Sequence, residues 1–177
     1  MPAHLVTPRL LLRPFQPDDR DAVIALLSDP RNTRYMHFAT WTDEQRHRWF
    51  ERCLAQRSDA TNWGITCNSL ADVIGWFGIG GATHPSVAGE RSFGYLLDHA
   101  HWNRGYMTEV LRAVLAYEFY TRGAPRLTAT CEVANVASAR VMEKVGMHWE
   151  CTVRDTDGEG NWAERHHYAI DRDEHGA

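Results

Sequence analysis

The most informative stretch of the sequence is Leu96-Leu97-Asp98-His99-Ala100-His101-Trp102-Asn103-Arg104-Gly105-Tyr106-Met107-Thr108-Glu109. Its apolar start predicts the end of a strand, and Gly105 precedes an apolar run with helical spacing. A helix N-terminus presents unpaired backbone N–H groups and the positive end of the helix dipole, which together favour phosphate oxygens. Arg104 adds a fixed charge and Thr108 a hydroxyl. Taken alone, this short signal favours an ordinary capped helix after a glycine turn.

A second stretch lies two elements later and reads Asn135-Val136-Ala137-Ser138-Ala139-Arg140-Val141-Met142-Glu143-Lys144-Val145-Gly146-Met147. Asn135 fits the N-cap of a helix, and Ser138 follows in the first turn. Taken alone, this stretch too is explained by a capped helix that ends at a glycine.

The rest of the chain predicts a mixed α/β order around these two stretches. Four helices are expected where apolar residues recur with helical spacing. The first begins at residue 17 and ends at Asp29-Pro30, and the others cover 42–57, 103–122 and 135–145. Strands are expected over seven segments, 7–15, 62–67, 73–79, 91–97, 127–133, 149–154 and 165–170.

Composition narrows the class of protein. The chain has 177 residues, so we expect a single domain over 1–177. A net charge of −4 and a pI near 6.2 argue against a nucleic-acid binder. No apolar run suits a membrane span or a signal peptide, and we expect a cytoplasmic protein. The widely spaced cysteines and the His99-Ala100-His101 and His166-His167 pairs lack further ligands, so no metal site is expected.

Together and in this order, the two stretches resemble the GCN5-related N-acetyltransferase (GNAT) superfamily. The opening Thr7-Pro8-Arg9-Leu10-Leu11-Leu12-Arg13 and the ending Gly160-Asn161-Trp162-Ala163-Glu164-Arg165-His166-His167-Tyr168-Ala169 resemble its RimJ/RimL-like branch, which acetylates ribosomal-protein N-termini. The resemblance implies the GNAT fold: an α/β fold with a mixed, mostly antiparallel seven-stranded sheet flanked by helices and a splayed parallel strand pair at the cofactor site. It also implies acetyl-CoA as the acetyl donor.

The resemblance also assigns the residues that bind acetyl-CoA. They are Leu96 and Leu97 for the pantetheine amides, Asn103, Arg104, Gly105, Tyr106, Met107 and Thr108 for the pyrophosphate, and Asn135 and Ser138 near the thioester. Two positions depart from the superfamily loop. Trp102 replaces its first residue, as is usual in this branch, and Met107 replaces a small residue, so its thioether must point away from the phosphates.

Acetyl transfer needs a proton donor for the departing thiolate and a proton acceptor for the amine. Many family members use a tyrosine seven residues after the asparagine as the acid, but Met142 stands there, which leaves Ser138 as the candidate. The resemblance implies two candidate bases: Asp157, where the branch can carry a carboxylate, and Glu164, the acidic position before the final tyrosine. The acidic residues of this segment are equally well explained as a solvated hairpin. If an ordered water accepts the proton, neither carboxylate is essential.

The acceptor is an amine that the sequence does not name. The segment 31–41 is expected to border its site, with Arg34, Tyr35, Met36 and Trp41 as binding residues, or else to be a partly buried aromatic loop. A protein N-terminus is the first hypothesis. The alternatives are a small-molecule amine, such as an antibiotic or polyamine, and a CoA-binding regulatory protein without catalysis. The high tryptophan content makes a homodimer interface plausible.

Overall fold

The structure is a computed structural model that describes residues 4–55, 61–68, 72–82, 85–156 and 162–175. These residues form eight strands, β1 (Leu5–Val6), β2 (Leu10–Arg13), β3 (Thr61–Cys67), β4 (Val73–Gly81), β5 (Arg91–Leu97), β6 (Arg126–Glu132), β7 (His148–Thr156) and β8 (Trp162–Asp171). The helices are α1 (Arg20–Ser28), α2 (Pro30–Thr33), α3 (Asp43–Ala55), α4 (Tyr106–Tyr120) and α5 (Val136–Glu143). Short 3₁₀ turns occupy Pro17–Asp19, His37–Thr40, His99–His101 and Arg172–Glu174.

The strands are hydrogen-bonded in the order β1-β2-β3-β4-β5-β6-β8-β7. The pairs β1–β2, β2–β3, β6–β8 and β7–β8 are antiparallel, whereas β5 and β6 are parallel at Arg91–Leu127 and Ser92–Thr128. The seven predicted strands are therefore all present in the described part of the chain. An eighth, β1, arises because two residues ahead of Thr7 pair back onto β2.

The chain divides into two compact units. The first comprises Met1–Gly78 and Tyr95–Tyr106. Its core packs residues of α1 and α3 against strand residues, with Phe15, Val23, Leu26, Leu27, Trp49, Phe50, Cys53, Val73, Trp76 and Leu96 buried. Trp49 meets Trp76 edge to face at 5.5 Å between ring centroids, a geometry that aromatic pairs favour. These two rings account for part of the high tryptophan content.

The second unit comprises Ile79–Gly94 and Met107–Ala177. The predicted stripe on α4 faces inward, and Val110, Leu111, Val114, Leu115 and Phe119 are all buried. Strand alternation puts Leu127, Ala129 and Cys131 on one face of β6, and all three are buried. Gly146, with φ +89°, ends the turn after α5 in the left-handed conformation that glycine tolerates best.

Candidate active site

The predicted phosphate loop lies in the first unit, between β5 and α4. Asn103 and Gly105 have φ values of 58° and 76°, the left-handed region that glycine and asparagine visit most readily. Two such residues turn the chain sharply, and α4 begins at Tyr106 directly afterwards. Residues 102–105 are exposed. The loop therefore offers to solvent an arginine, Arg104, next to the N–H groups of a helix start.

Trp102 closes the end of β5. Its indole Nε1 donates to the backbone carbonyl of Leu97 at 2.7 Å, and Asp98 accepts a hydrogen bond from the N–H of Ala100 at 3.0 Å. The tryptophan that departs from the superfamily loop thus bends back to the strand instead of pointing along the loop. Leu96 and Leu97 have buried side chains.

An arginine that the sequence analysis did not select also contacts the loop. Arg9 Nη1 donates to the carbonyl of Arg104 at 2.9 Å, across 95 positions of sequence. Its guanidinium carbon lies 4.6 Å from the centroid of the Tyr106 ring, a cation–π distance. The sequence pattern that contains Arg9, Thr7-Pro8-Arg9-Leu10, indicates the family branch but does not by itself point to a contact with this loop.

Met107 and Thr108 belong to the second unit and are buried at 6% and 9% exposure. The Met107 thioether is therefore largely enclosed by protein. The Thr108 side chain is largely enclosed as well.

The start of α5 places Ser138 beside a strand of the sheet. Asn135 caps the helix as predicted: its Oδ1 accepts a hydrogen bond from the Ser138 N–H at 3.2 Å. The half-buried Ser138 hydroxyl hydrogen-bonds the thiol of Cys131 on β6. Burial raises the pKa of Cys131 to about 11, although the Ser138 contact opposes the rise. Ser138 thus adjoins a neutral thiol.

Other polar groups of the second unit lie near this pair. The Tyr168 hydroxyl donates to Glu143 Oε1 at 3.0 Å, and burial together with Glu143 raises the pKa of Tyr168 to about 12. His166 pairs in register with Cys131, and its Nδ1 is 2.7 Å from Thr152 Oγ1. Alternation along β8 puts these side chains and Cys131 on one face of the sheet.

Glu164 shares that face of the sheet, because it lies two residues before His166 on β8. Its side chain is exposed, and its backbone carbonyl accepts a hydrogen bond from the N–H of Val133 at 2.9 Å. The other candidate base, Asp157, lies outside the described residues.

The segment proposed for the acceptor separates into two pairs, both in the first unit. Met36 and Trp41 are partly buried and pack against the hydrophobic core. Arg34 is exposed, and its guanidinium carbon lies 5.2 Å from the centroid of the Tyr35 ring. The packing of Met36 and Trp41 favours the alternative of a buried aromatic segment for those two residues, which leaves Arg34 and Tyr35 as acceptor-binding candidates.

No three histidine, cysteine, aspartate or glutamate side chains in the described part of the chain converge as metal ligands. Of the helices described, none has both the length and the apolar character needed to cross a bilayer.

Comparison with known proteins establishes the family. Residues 9–148 match the acetyltransferase (GNAT) domain. The uncharacterized N-acetyltransferase YnaD of Bacillus subtilis (strain 168) is 29% identical over 170 residues, covering 94% of this chain and 96% of its own. A GNAT-family acetyltransferase from Bacillus anthracis superposes with a TM-score of 0.84 at 25% identity, covering 97% of this chain and 100% of its own.

A third relative is Mycobacterium smegmatis RimJ, solved in complex with CoA-disulfide. It superposes with a TM-score of 0.81 at 21% identity, covering 99% of this chain and 88% of its own. The chain belongs to the GNAT acetyltransferase family. It is an acetyl-CoA-dependent N-acetyltransferase with the GNAT fold, as the two sequence stretches predicted.

Proposed function

We propose that the acceptor is the α-amino group at the N-terminus of a protein, as in acetyltransferases of the ribosomal-protein type. Two observations support this choice: the opening and closing segments resemble that branch, and the fold matches RimJ over nearly the whole chain. The net charge of −4 suits a cationic acceptor such as a basic protein.

We further propose that the exposed loop from Asn103 to Tyr106 holds the acetyl-CoA phosphates. Its left-handed Gly105 allows close backbone approach, and the first N–H groups of α4 together with Arg104 provide donors. Leu96 and Leu97 continue along the strand that leads into this loop. The pantetheine arm is therefore assigned to their backbone.

Ser138 is the proposed proton donor. The acceptor nitrogen attacks the thioester carbonyl, a C–N bond forms, the C–S bond breaks, and the CoA sulfur takes up a proton. The single observation that carries this role is the position of the Ser138 hydroxyl, held in the first turn of α5 by the Asn135 cap and against the Cys131 thiol. Met142 is completely buried and has no proton to give.

Glu164 is the proposed acceptor of the amine proton, directly or through a water molecule. Among the described residues, it is the candidate carboxylate on the sheet face that carries Cys131 and His166. An exposed carboxylate also attracts a cationic amine before the proton is lost.

Mass spectrometry tests the acceptor. The full-length protein is incubated with acetyl-CoA and an equimolar mixture of basic peptides with free N-termini, the same peptides blocked at the N-terminus, a polyamine and an aminoglycoside. We expect acetylation of the free peptides at the α-amine. Products only on the small amines, or only on lysine side chains of blocked peptides, would overturn this proposal.

A further inference from the structure

Arg9 stands apart from the proposed site in sequence and adjoins it in space. It immediately precedes β2, whereas the loop it contacts follows β5. The residue is exposed, and its long side chain contacts the loop. Because ordering a long arginine side chain costs conformational entropy, such an arrangement on a surface needs compensating interactions.

Three observations fix the guanidinium against the turn. Nη1 donates to the Arg104 carbonyl at 2.9 Å, and the group lies 4.6 Å from the Tyr106 ring centroid. A Cβ built on Gly105 would lie 3.6 Å from Arg9 Nη2. The positive charge of Arg9 is therefore held over the same glycine whose φ of 76° opens the loop.

This placement brings a second guanidinium to a loop that already carries Arg104. A planar guanidinium has five N–H donors and matches phosphate oxygens in geometry, so a contact to one carbonyl is compatible with a simultaneous phosphate contact. A diphosphate group is an anion of suitable size and charge for this position.

We propose that Arg9 is a phosphate-binding residue of this enzyme, which braces the Asn103–Tyr106 turn and contributes charge to the phosphates of CoA. The proposal rests on the assignment of this loop as the phosphate site. It predicts that Arg9 recognises the phosphorylated part of the cosubstrate and not the pantetheine arm.

Isothermal titration calorimetry tests the proposal with CoA and with pantetheine, which lacks the phosphates. We expect Arg9→Gln to raise Kd for CoA by roughly ten-fold or more, as befits the loss of a charge-assisted hydrogen bond. Kd for pantetheine should stay at the wild-type value. The CoA effect should be larger at low ionic strength, because salt screens exposed charges. Arg9→Lys, which keeps the charge without the planar fork, should show a smaller loss.

Two further variants separate the possible failures. Arg48→Gln removes an exposed arginine of α3 that pairs with Glu44, and it should leave both Kd values unchanged. Arg104→Gln tests the loop itself.

If Arg104→Gln weakens CoA binding and Arg9→Gln does not, the role of Arg9 is wrong and the phosphate site stands. If neither variant weakens it, the assignment of the loop fails, and the Arg9 proposal with it. An equal loss for CoA and pantetheine in Arg9→Gln would show a purely structural role and would also overturn the proposal.

Discussion

At the scale of single residues, the buried cysteines show how environment sets chemical behaviour. Cys53 and Cys131 are buried in different units, and burial raises the pKa of their thiols to about 12 and about 11. Cys151 on β7 is exposed. Only the thiolate attacks an alkylating reagent. The two buried thiols are therefore protected twice, because the reagent cannot reach them and because their raised pKa keeps them protonated. The partner of Ser138 is therefore a stable, neutral thiol.

Alkylation with iodoacetamide at pH 8 should modify Cys151 first and leave Cys53 and Cys131 unreacted in the folded protein. The extent at each cysteine is measured by peptide mass spectrometry, and unfolding in urea should expose all four cysteines as a control. Modification of Cys131 at the rate of Cys151 would show that β6 is not packed as described.

Within the first unit, the close approach of strands β4 and β5 depends on the glycine at position 75. A Cβ on Gly75 of β4 would lie 2.6 Å from the carbonyl oxygen of Leu96 on β5, a distance that real side chains essentially never show. A Cβ on Gly81, at the end of the same strand, would meet nothing within 4 Å. The two glycines therefore form a matched pair of positions for one substitution.

Gly75→Ala should lower the free energy of unfolding by about 1–3 kcal/mol, the usual cost of overpacking. Gly81→Ala should be neutral or stabilising by up to about 1 kcal/mol, since alanine reduces the entropy of the unfolded chain. Urea denaturation followed by circular dichroism measures both values. Equal effects of the two substitutions would contradict the close approach of Gly75 to Leu96.

At the scale of elements, hydrophobic periodicity and turn-forming residues were enough to predict most strands and helices from the sequence. All seven expected strands exist, and the predicted N-cap at Asn135 and the stop at Asp29-Pro30 are confirmed. The segment 31–41 is more helical than expected. Asp29 accepts a hydrogen bond from the Arg31 N–H at 2.8 Å with Pro30 in the first turn, so Asp29-Pro30 both ends α1 and begins α2.

The candidate site was predictable only where its parts are local in sequence. The loop from Asn103 to Gly105 could be proposed from the sequence because glycine, arginine and a helix start stand side by side. The contacts of Arg9 with Arg104, and of Ser138 with Cys131, join different elements of the fold. No spacing rule connects such pairs, since they meet only after strands and helices have packed.

At the scale of the whole molecule, a buried carboxylate links stability to pH. Glu118 of α4 is fully buried, and its Oε2 lies 2.9 Å from Arg91 Nε. Burial raises the pKa of Glu118, while Arg91 and Arg122 oppose the rise without cancelling it. The folded state therefore holds this proton more tightly than the unfolded chain. The contribution of Glu118 to stability is present below its ordinary pKa of 4.5 and is lost as pH rises through the higher folded value.

We expect wild-type protein to lose stability relative to Glu118→Gln as pH rises from about 4.5. Arginine stays charged over this range, so removing the carboxylate that pairs with Arg91 changes the unfolding free energy of the variant by the same amount at every pH. Only the titration of Glu118 makes the stability difference between the two proteins vary with pH. Unfolding free energies from urea titrations at several pH values provide the measurement. A gain in wild-type stability relative to Glu118→Gln as pH rises would mean that the Glu118 pKa is lowered in the fold.

The central claim is that Ser138 supplies the proton to the departing CoA thiolate. Its most direct test is kcat of Ser138→Ala at saturating acetyl-CoA and acceptor, with Ser28→Ala at the exposed end of α1 as the matched control. The account predicts a fall in kcat of about 100-fold or more in Ser138→Ala, the usual scale of a lost general acid. Calorimetry should show little change in the Kd for CoA. An unchanged kcat would contradict the claim and remove Ser138 from the mechanism.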